Sequence, residues 1–265
     1  MPDEHDTNST GILSLQICLV VLMMEDATAL DSLGWEALKK ALNQRVVAGR
    51  PKFVPSKVNR LWIVETDVRP VVVKRFLSGK CETEFEVLLQ AKTAGMDVPY
   101  PMAKEGEYLV TEFIPGENCD VLIHKMFSVE AVEGMGIWLA AFHRRMSTEV
   151  GTRIMYDAVP SNFVMNGDKI CGFDLEDTRL GDPLDDVGEL AASIIGNEPY
   201  FTPMKFHLCL RMLKSYGVAA GLDVVDTSRK YVSKHLQQDA RKKPLFRRMI
   251  VSAAIAIERG WPRLA

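Results

Sequence analysis

The sequence predicts an α+β chain in two parts, a small antiparallel sheet carrying one helix followed by a mostly helical second lobe. Two observations carry this. The runs Leu61–Val64 and Val71–Val73 are β-branched and apolar and are separated by Thr66-Asp67 and Arg69-Pro70, which reads as two strands joined by a tight connection. Beyond Ile114-Pro115-Gly116, apolar residues recur almost throughout at helical spacing.

The elements follow in order. Trp35, Leu38, Ala41, Leu42 and Val46 mark a helix from Trp35 to Val47, closed by Gly49-Arg50-Pro51. After the two strands, Cys81 to Ala94 holds good helix formers and stops at Gly95. Pro99 and Pro101 forbid further helix, and Tyr108 to Phe113 resumes strand character. In the second part Ser128 is placed to cap a helix with the apolar stripe Val132, Met135, Leu139, Phe142 and Met146. Phe163 to Phe173 reads as a hairpin turning at Asn166-Gly167. A last helix runs from Pro244 to Gly260 with Phe246, Ile250, Ala253 and Ile257 on one side. The domain reading is therefore an extension over residues 1–24, a first lobe with its preceding helix over 25–113, and a helical lobe over 114–265.

Composition narrows the class of function. A chain of 265 residues with 47% hydrophobic and 25% charged residues builds a globular core, and a net charge of -3 gives no global attraction to nucleic acid. Its local basic cluster, Arg241-Lys242-Lys243 with Arg247-Arg248, reads first as a solvated helix face, with RNA, anionic lipid or a partner as the alternatives. The five cysteines stand far apart without a CxxC pair, so neither a zinc site nor a disulfide framework is indicated. A reducing cytoplasm is the expected compartment. Gly11 to Met24 is apolar but shorter than the roughly 20 residues of a membrane span. It lacks the basic leader of a secretion signal. Either translation starts at Met23 or Met24, or the segment is a helix packed on the domain.

Candidate chemistry gathers at the hairpin. Asn162 immediately precedes its first strand and Asp174 immediately follows its second, so their side chains are expected to meet at the open end. An amide oxygen and a carboxylate suit magnesium, which is held by one or two carboxylates together with substrate phosphates. Asp157, five residues before Asn162, falls on the same rim, where it could take the proton of a hydroxyl acceptor. Lys74 closes the second strand and is suited to phosphate. Of Glu82, Glu84 and Glu86, only Glu84 shares a stripe with Val87, Leu88 and Ala91, so it points inward toward a partner such as Lys74.

In this order the motifs resemble the protein-kinase-like superfamily, specifically its aminoglycoside and choline phosphotransferase branch, over roughly residues 56–190. Val71-Val72-Val73-Lys74 resembles the strand with the ATP-binding lysine, and Glu84 the glutamate that pairs with it. Glu112-Phe113-Ile114-Pro115-Gly116 resembles the interlobe hinge, which implies adenine contacts from Glu112, Phe113 and Ile114. Asp157 to Asn162 resembles the catalytic loop, and Gly172 to Asp177 with Gly181-Asp182-Pro183 and Asp186 the metal segment. The resemblance implies Asp157 as base, Asn162 and Asp174 as magnesium ligands, Glu176 as a third metal contact or an exposed acid, and ATP and Mg2+ as cofactors. His143 is read as a buried structural histidine, and Asp182, Asp185 and Asp186 as acids satisfying the start of a helix.

Two departures stand out. Met155-Tyr156 occupies the place of the family's His-Gly, so the hydrogen bonding inside the loop must differ. The glycine-rich phosphate loop is replaced by Ser56 to Leu61, which resembles a glycine-poor version. Only seven residues separate Asp174 from Asp182, too few for a peptide-docking activation segment, so the expected activity is transfer of the γ-phosphoryl group of Mg-ATP to a small hydroxylated molecule. The alternatives are a compact atypical Ser/Thr protein kinase, similar to the Bud-type or lipopolysaccharide-core kinases, and a nucleotide-binding pseudokinase scaffold.

Overall fold

The computed structural model describes residues 29–43 and 50–262. The apolar run of residues 11–24 and the proposed start at Met23 or Met24 lie outside the described residues. The chain divides into two compact units: residues up to Ser78 together with Met102–Thr111, and Gly79–Pro101 together with the chain from Glu112 onward.

The first unit is a five-stranded sheet, in the order β1-β2-β3-β5-β4, with one helix. Its elements are α1 (Ser32–Ala41), β1 (Lys52–Val54), β2 (Arg60–Val64), β3 (Val71–Arg75), β4 (Pro101–Glu105) and β5 (Tyr108–Glu112). β2 pairs antiparallel with both β1 and β3, placing Trp62 opposite Val73 and Val64 opposite Val71. Alternation puts Trp62, Val64, Val71 and Val73 on one face. There they bury against Ala37 and Leu38 of α1 and against Tyr108 and Val110. The Asp31 carboxylate starts α1 by accepting the Gly34 N–H at 3.0 Å. Two strands go beyond the sequence reading. β4 begins on Pro101, because a first strand residue needs no ladder donor, and β1 is a three-residue edge too short to show a period.

The second unit begins with α2 (Cys81–Thr93) and continues, from Glu112 onward, through β6 (Glu117–Asn118), α3 (Cys119–His124), α4 (Val129–Arg145), β7 (Ser147–Thr148) and β8 (Gly151–Ile154). A 3-10 turn (Pro160–Asn162) leads to β9 (Phe163–Asn166), β10 (Lys169–Gly172) and β11 (Arg179–Leu180). Then come α5 (Pro183–Ile195), α6 (Pro203–Ala220), α7 (Arg229–Lys242) and α8 (Arg247–Arg259). Ser128 caps α4 as expected, accepting the Ala131 N–H at 3.1 Å. The expected hairpin is β9–β10, but Asn166 pairs with Lys169, so the turn residues are Gly167-Asp168. Gly167, at φ +62°, takes the left-handed position of that turn. Among the described residues no helix is long and apolar enough to cross a membrane.

One carbonyl ties this unit together. Asp97 O, in the stretch after α2, accepts the Trp138 indole N–H at 2.9 Å and the Gly172 N–H at 3.2 Å. α2 is thereby held to α4 and to the strand that ends before Asp174. A Cβ on Gly172 would sit 2.4 Å from the Trp138 ring, which is stacked on Phe142 and met edge-on by Phe163 and so has little room to yield. Gly172→Ala should cost about 1–3 kcal/mol, the usual scale of overpacking. Chemical denaturation should show this as a lower midpoint at unchanged slope. An unchanged midpoint would contradict the packing described here.

Candidate active site

Asp157 and Asn162 are closed into a loop by their own hydrogen bonds. The Val159 N–H donates to Asp157 O and the Asn162 N–H to Val159 O, both at 3.0 Å, and Pro160 supplies the fixed φ of the turn between them. The buried Asn162 amide then donates to Asp157 O at 2.9 Å and to Asp157 Oδ2 at 3.0 Å. With its NH2 spent on Asp157, Asn162 presents Oδ1 as an acceptor. The spacing of five residues thus fixes the carboxylate against the amide.

The hairpin end behaves as its register requires. Phe163 pairs with Gly172, and one residue further the Phe173 N–H donates to Asn162 O at 3.0 Å. Asp174 follows at φ +61°, a left-handed conformation that Asp tolerates better than most residues. The carboxylates gathered with Asp174 are Glu84 and Glu176, with one oxygen from each residue within 4.8 Å of the others. Both glutamates are buried and Asp174 is half-buried. Glu84 lies on α2 beside Val87, Leu88 and Ala91, on the inward stripe that the sequence indicated. Hard oxygen donors so close together repel one another unless a cation or protons intervene, and they suit a divalent ion of the magnesium or calcium type. Lys80 answers part of this field. Its ammonium is hydrogen-bonded to Asp177, which, ahead of the charges of Glu176 and Asp174, raises its pKa.

Beneath the loop, Asp186 corrects the sequence reading. Asp182 does cap α5, accepting the Leu184 N–H at 3.0 Å, and Asp185 pairs with Lys234. Asp186 instead turns inward and is buried. It accepts hydrogen bonds from the N–H of Met155 at 2.6 Å and that of Tyr156 at 2.9 Å, and its Oδ2 lies 3.0 Å from His143 Nε2. His143 is the structural histidine expected, with Tyr216 Oη 3.0 Å from Nδ1. The stripe argument that identified Glu84 also applies to Asp186, which lies one turn before the buried Leu190. Tyr156, held by this anchor, takes φ +67°, a conformation costing a bulky residue roughly 1–3 kcal/mol.

Two carboxyls are pushed upward in pKa. Burial raises Asp157, the Asn162 hydrogen bond opposes it, and the charges of Asp174 and Asp177 raise it further. Glu189 has no signal in the sequence, because it lies within α5 with neither a turn nor a motif to mark it. Its Oε2 accepts the Ala158 N–H at 3.0 Å, and its Oε1 lies 3.8 Å from His235 Nδ1. Burial, with smaller contributions from Asp157 and Asp186, pushes its carboxyl up to about 8.

The remaining predicted positions are simply located. Lys74 is buried at the end of β3, its ammonium 4.5 Å from the Phe76 ring centre. Glu112 ends β5 and accepts the Tyr100 N–H, and Phe113 and Ile114 continue as half-buried irregular chain. In the basic cluster, Lys243 is taken up by Gly196 O and Asn197 Oδ1 at the end of α5.

No family model and no curated protein matches the chain. Solved structures do. The amicoumacin kinase hAmiN, in complex with AMP-PNP, Ca2+ and Ami, aligns at a TM-score of 0.64 and 11% identity over 89% of this chain and 96% of that one. The fold is that of the aminoglycoside and choline phosphotransferases. A choline/ethanolamine kinase family protein from Mesorhizobium loti aligns at a TM-score of 0.59 and 14% identity, covering 89% of this chain and 94% of that one. The ADP-bound aminoglycoside phosphotransferase APH(2'')-Ib aligns at 0.57 and 12%, covering 86% and 97%.

Glu189 supplies a pH test. A carboxyl at about 8 in the fold and near its ordinary value when unfolded keeps its proton in the native state after the unfolded state has lost it. Stability should therefore fall as pH rises from about 4.5 toward 8. Glu189→Gln keeps an acceptor for Ala158 and removes this titration, so thermal melts across pH should show the variant gaining on wild type over that window. Parallel curves would count against the shift.

Proposed function

We propose that the chain is an ATP-dependent phosphotransferase that moves the γ-phosphoryl group of Mg-ATP to a hydroxyl of a small molecule. One observation carries it: a single unit holds Asp157 fixed by Asn162 and, at the end of the adjoining hairpin, Asp174 grouped with Glu84 and Glu176. The solved structures that the chain resembles, a kinase and a phosphotransferase in complex with small molecules, agree with this reading.

In this reading Asp174 and Glu176 hold a magnesium ion with Asn162 Oδ1, and Glu84 supports the same cluster. The ion would offset the charge of the β- and γ-phosphates. Lys74 is assigned to the α- and β-phosphates, and the backbone from Glu112 to Ile114 to adenine, as the resemblance implies. Asp157 receives the acceptor's hydroxyl proton as that oxygen bonds to the γ-phosphorus and the bond to the β,γ-bridging oxygen breaks, giving ADP and a phosphomonoester. Asn162 orients the Asp157 carboxylate, and the upward shift of that carboxyl makes it a better proton acceptor. The chain between Asp174 and Asp182 is taken up by β11 pairing with β8, which supports a small acceptor over a peptide.

Asp174→Ala should abolish magnesium-dependent ATP binding. Asp157→Asn should keep that binding and lower kcat on the acceptor by about 10²–10⁴-fold, the usual contribution of a positioned base. Calorimetry with Mg-ATP, followed by a turnover screen on hydroxylated metabolites, checks both. ATP binding that survives Asp174→Ala defeats the metal assignment. Binding without turnover on any metabolite favours a scaffold, and autophosphorylation a protein kinase.

A further inference from the structure

Among the described residues, the loop that leads into Asp157 carries a positive charge, Arg179, that no carboxylate answers. Tyr156 directly precedes Asp157, and its backbone stays left-handed where glycine would sit without strain. Its ring is 47% exposed, and among the described residues its hydroxyl has no partner. The Arg179 guanidinium stacks on that ring, with Cζ 3.2 Å from its centre. Strand β11 fixes this meeting by pairing Arg179 with Ile154, two residues before Tyr156. Among the described residues no carboxylate lies within ion-pair distance of the exposed Arg179.

The neighbouring acids are, by contrast, committed. Asp177 is held by Lys80, Asp185 by Lys234, and Asp186 by Met155, Tyr156 and His143. Asp182 caps α5 and accepts the Tyr231 hydroxyl. A guanidinium kept flat on an aromatic ring still offers its N–H edge, which matches the two oxygens of a carboxylate or phosphate.

We propose that Tyr156 and Arg179 form an acceptor subsite selecting a hydroxylated small molecule that carries an anionic group, carboxylate or phosphate, a few bonds from the reacting hydroxyl. The inference rests on the phosphotransferase reading and names its substrate class. Tyr156, the residue before Asp157, holds the guanidinium flat on its ring, and Arg179 binds the anion. Amine-bearing acceptors are disfavoured there by like charge.

Calorimetry on the full chain with Mg-AMP-PNP tests this, using glycerate and glycerol 3-phosphate as carboxylate and phosphate probes and ethanolamine and gentamicin as amine probes. At least one anionic probe should bind more tightly than either amine. Arg179→Gln should weaken it about tenfold or more, while Arg179→Lys restores part of the loss and AMP-PNP affinity holds in both. Tyr156→Gly should weaken the same probe while thermal stability holds or rises, which separates lost recognition from lost folding. Failure of both anionic probes to bind, an amine probe binding more tightly, or an unchanged affinity in Arg179→Gln overturns the subsite. AMP-PNP that does not bind wild type, or binds Asp174→Ala equally well, defeats the phosphotransferase reading itself and the subsite with it. Nucleotide binding with a failed probe arm defeats the subsite alone.

Discussion

The Asp186 carboxylate is the interaction on which the rest of this site depends. An ionised carboxyl in a protein interior costs several kcal/mol unless donors compensate it. Asp186 has three, and they come from different parts of the chain: two backbone N–H groups of the loop after β8 and one imidazole of α4. Tyr216 Oη lies 3.0 Å from His143 Nδ1, and the other ring nitrogen, Nε2, faces Asp186 at 3.0 Å. The chain from Tyr216 through His143 to Asp186 therefore joins α6, α4, α5 and the loop in one network. Remove the carboxylate and two backbone donors are stranded at the point where the chain must turn into Asp157.

Above this anchor the physics runs the other way. Glu84, Asp174 and Glu176 crowd like charges together, and Asp157 and Glu189 are both pushed up toward their protonated forms. Such arrangements persist where function needs them and stability is supplied elsewhere. Here the supply is visible in the Trp138, Phe142 and Phe163 packing beneath the hairpin and in the Asp97 carbonyl that locks α2 to it.

How far the sequence discloses this depends on the range of the interaction. Periodicity and turn chemistry are local, so the two strands, Ser128 as a cap, the hairpin and the inward face of Glu84 could all be read directly. The turn was misplaced by one residue because Asn166-Gly167 and Gly167-Asp168 are both acceptable turn pairs, and only the pairing of Asn166 with Lys169 decides between them. The strands β1 and β4 escaped because three residues show no alternation and because a proline obscures a strand it can legitimately begin. Asp186 was placed with the correct helix but given the wrong partner. A helix start accounts for an acid so readily that it masks the inward stripe of Asp186, and the partners in the loop lie some thirty residues upstream. The stacking of Arg179 on Tyr156 has no sequence signal of any kind, since a two-residue strand creates it.

The departure at Met155-Tyr156 takes on a different meaning in this light. Hydrogen bonding inside the loop was expected to differ because the side chains differ from those of the family the chain resembles. Asp186, however, binds backbone N–H groups, which every residue but proline provides, so the anchor is indifferent to what stands at positions 155 and 156. The two side chains are then free to take opposite directions. Met155 is buried in the core, and Tyr156 is exposed beside Asp157. A substitution that looks like the loss of a catalytic motif leaves the path of the loop fixed from below and changes only the surface that an acceptor would meet. On the phosphotransferase reading, what it would alter is selectivity on the acceptor side, while Glu84, Asp174 and Glu176 stand on elements that this pair does not position.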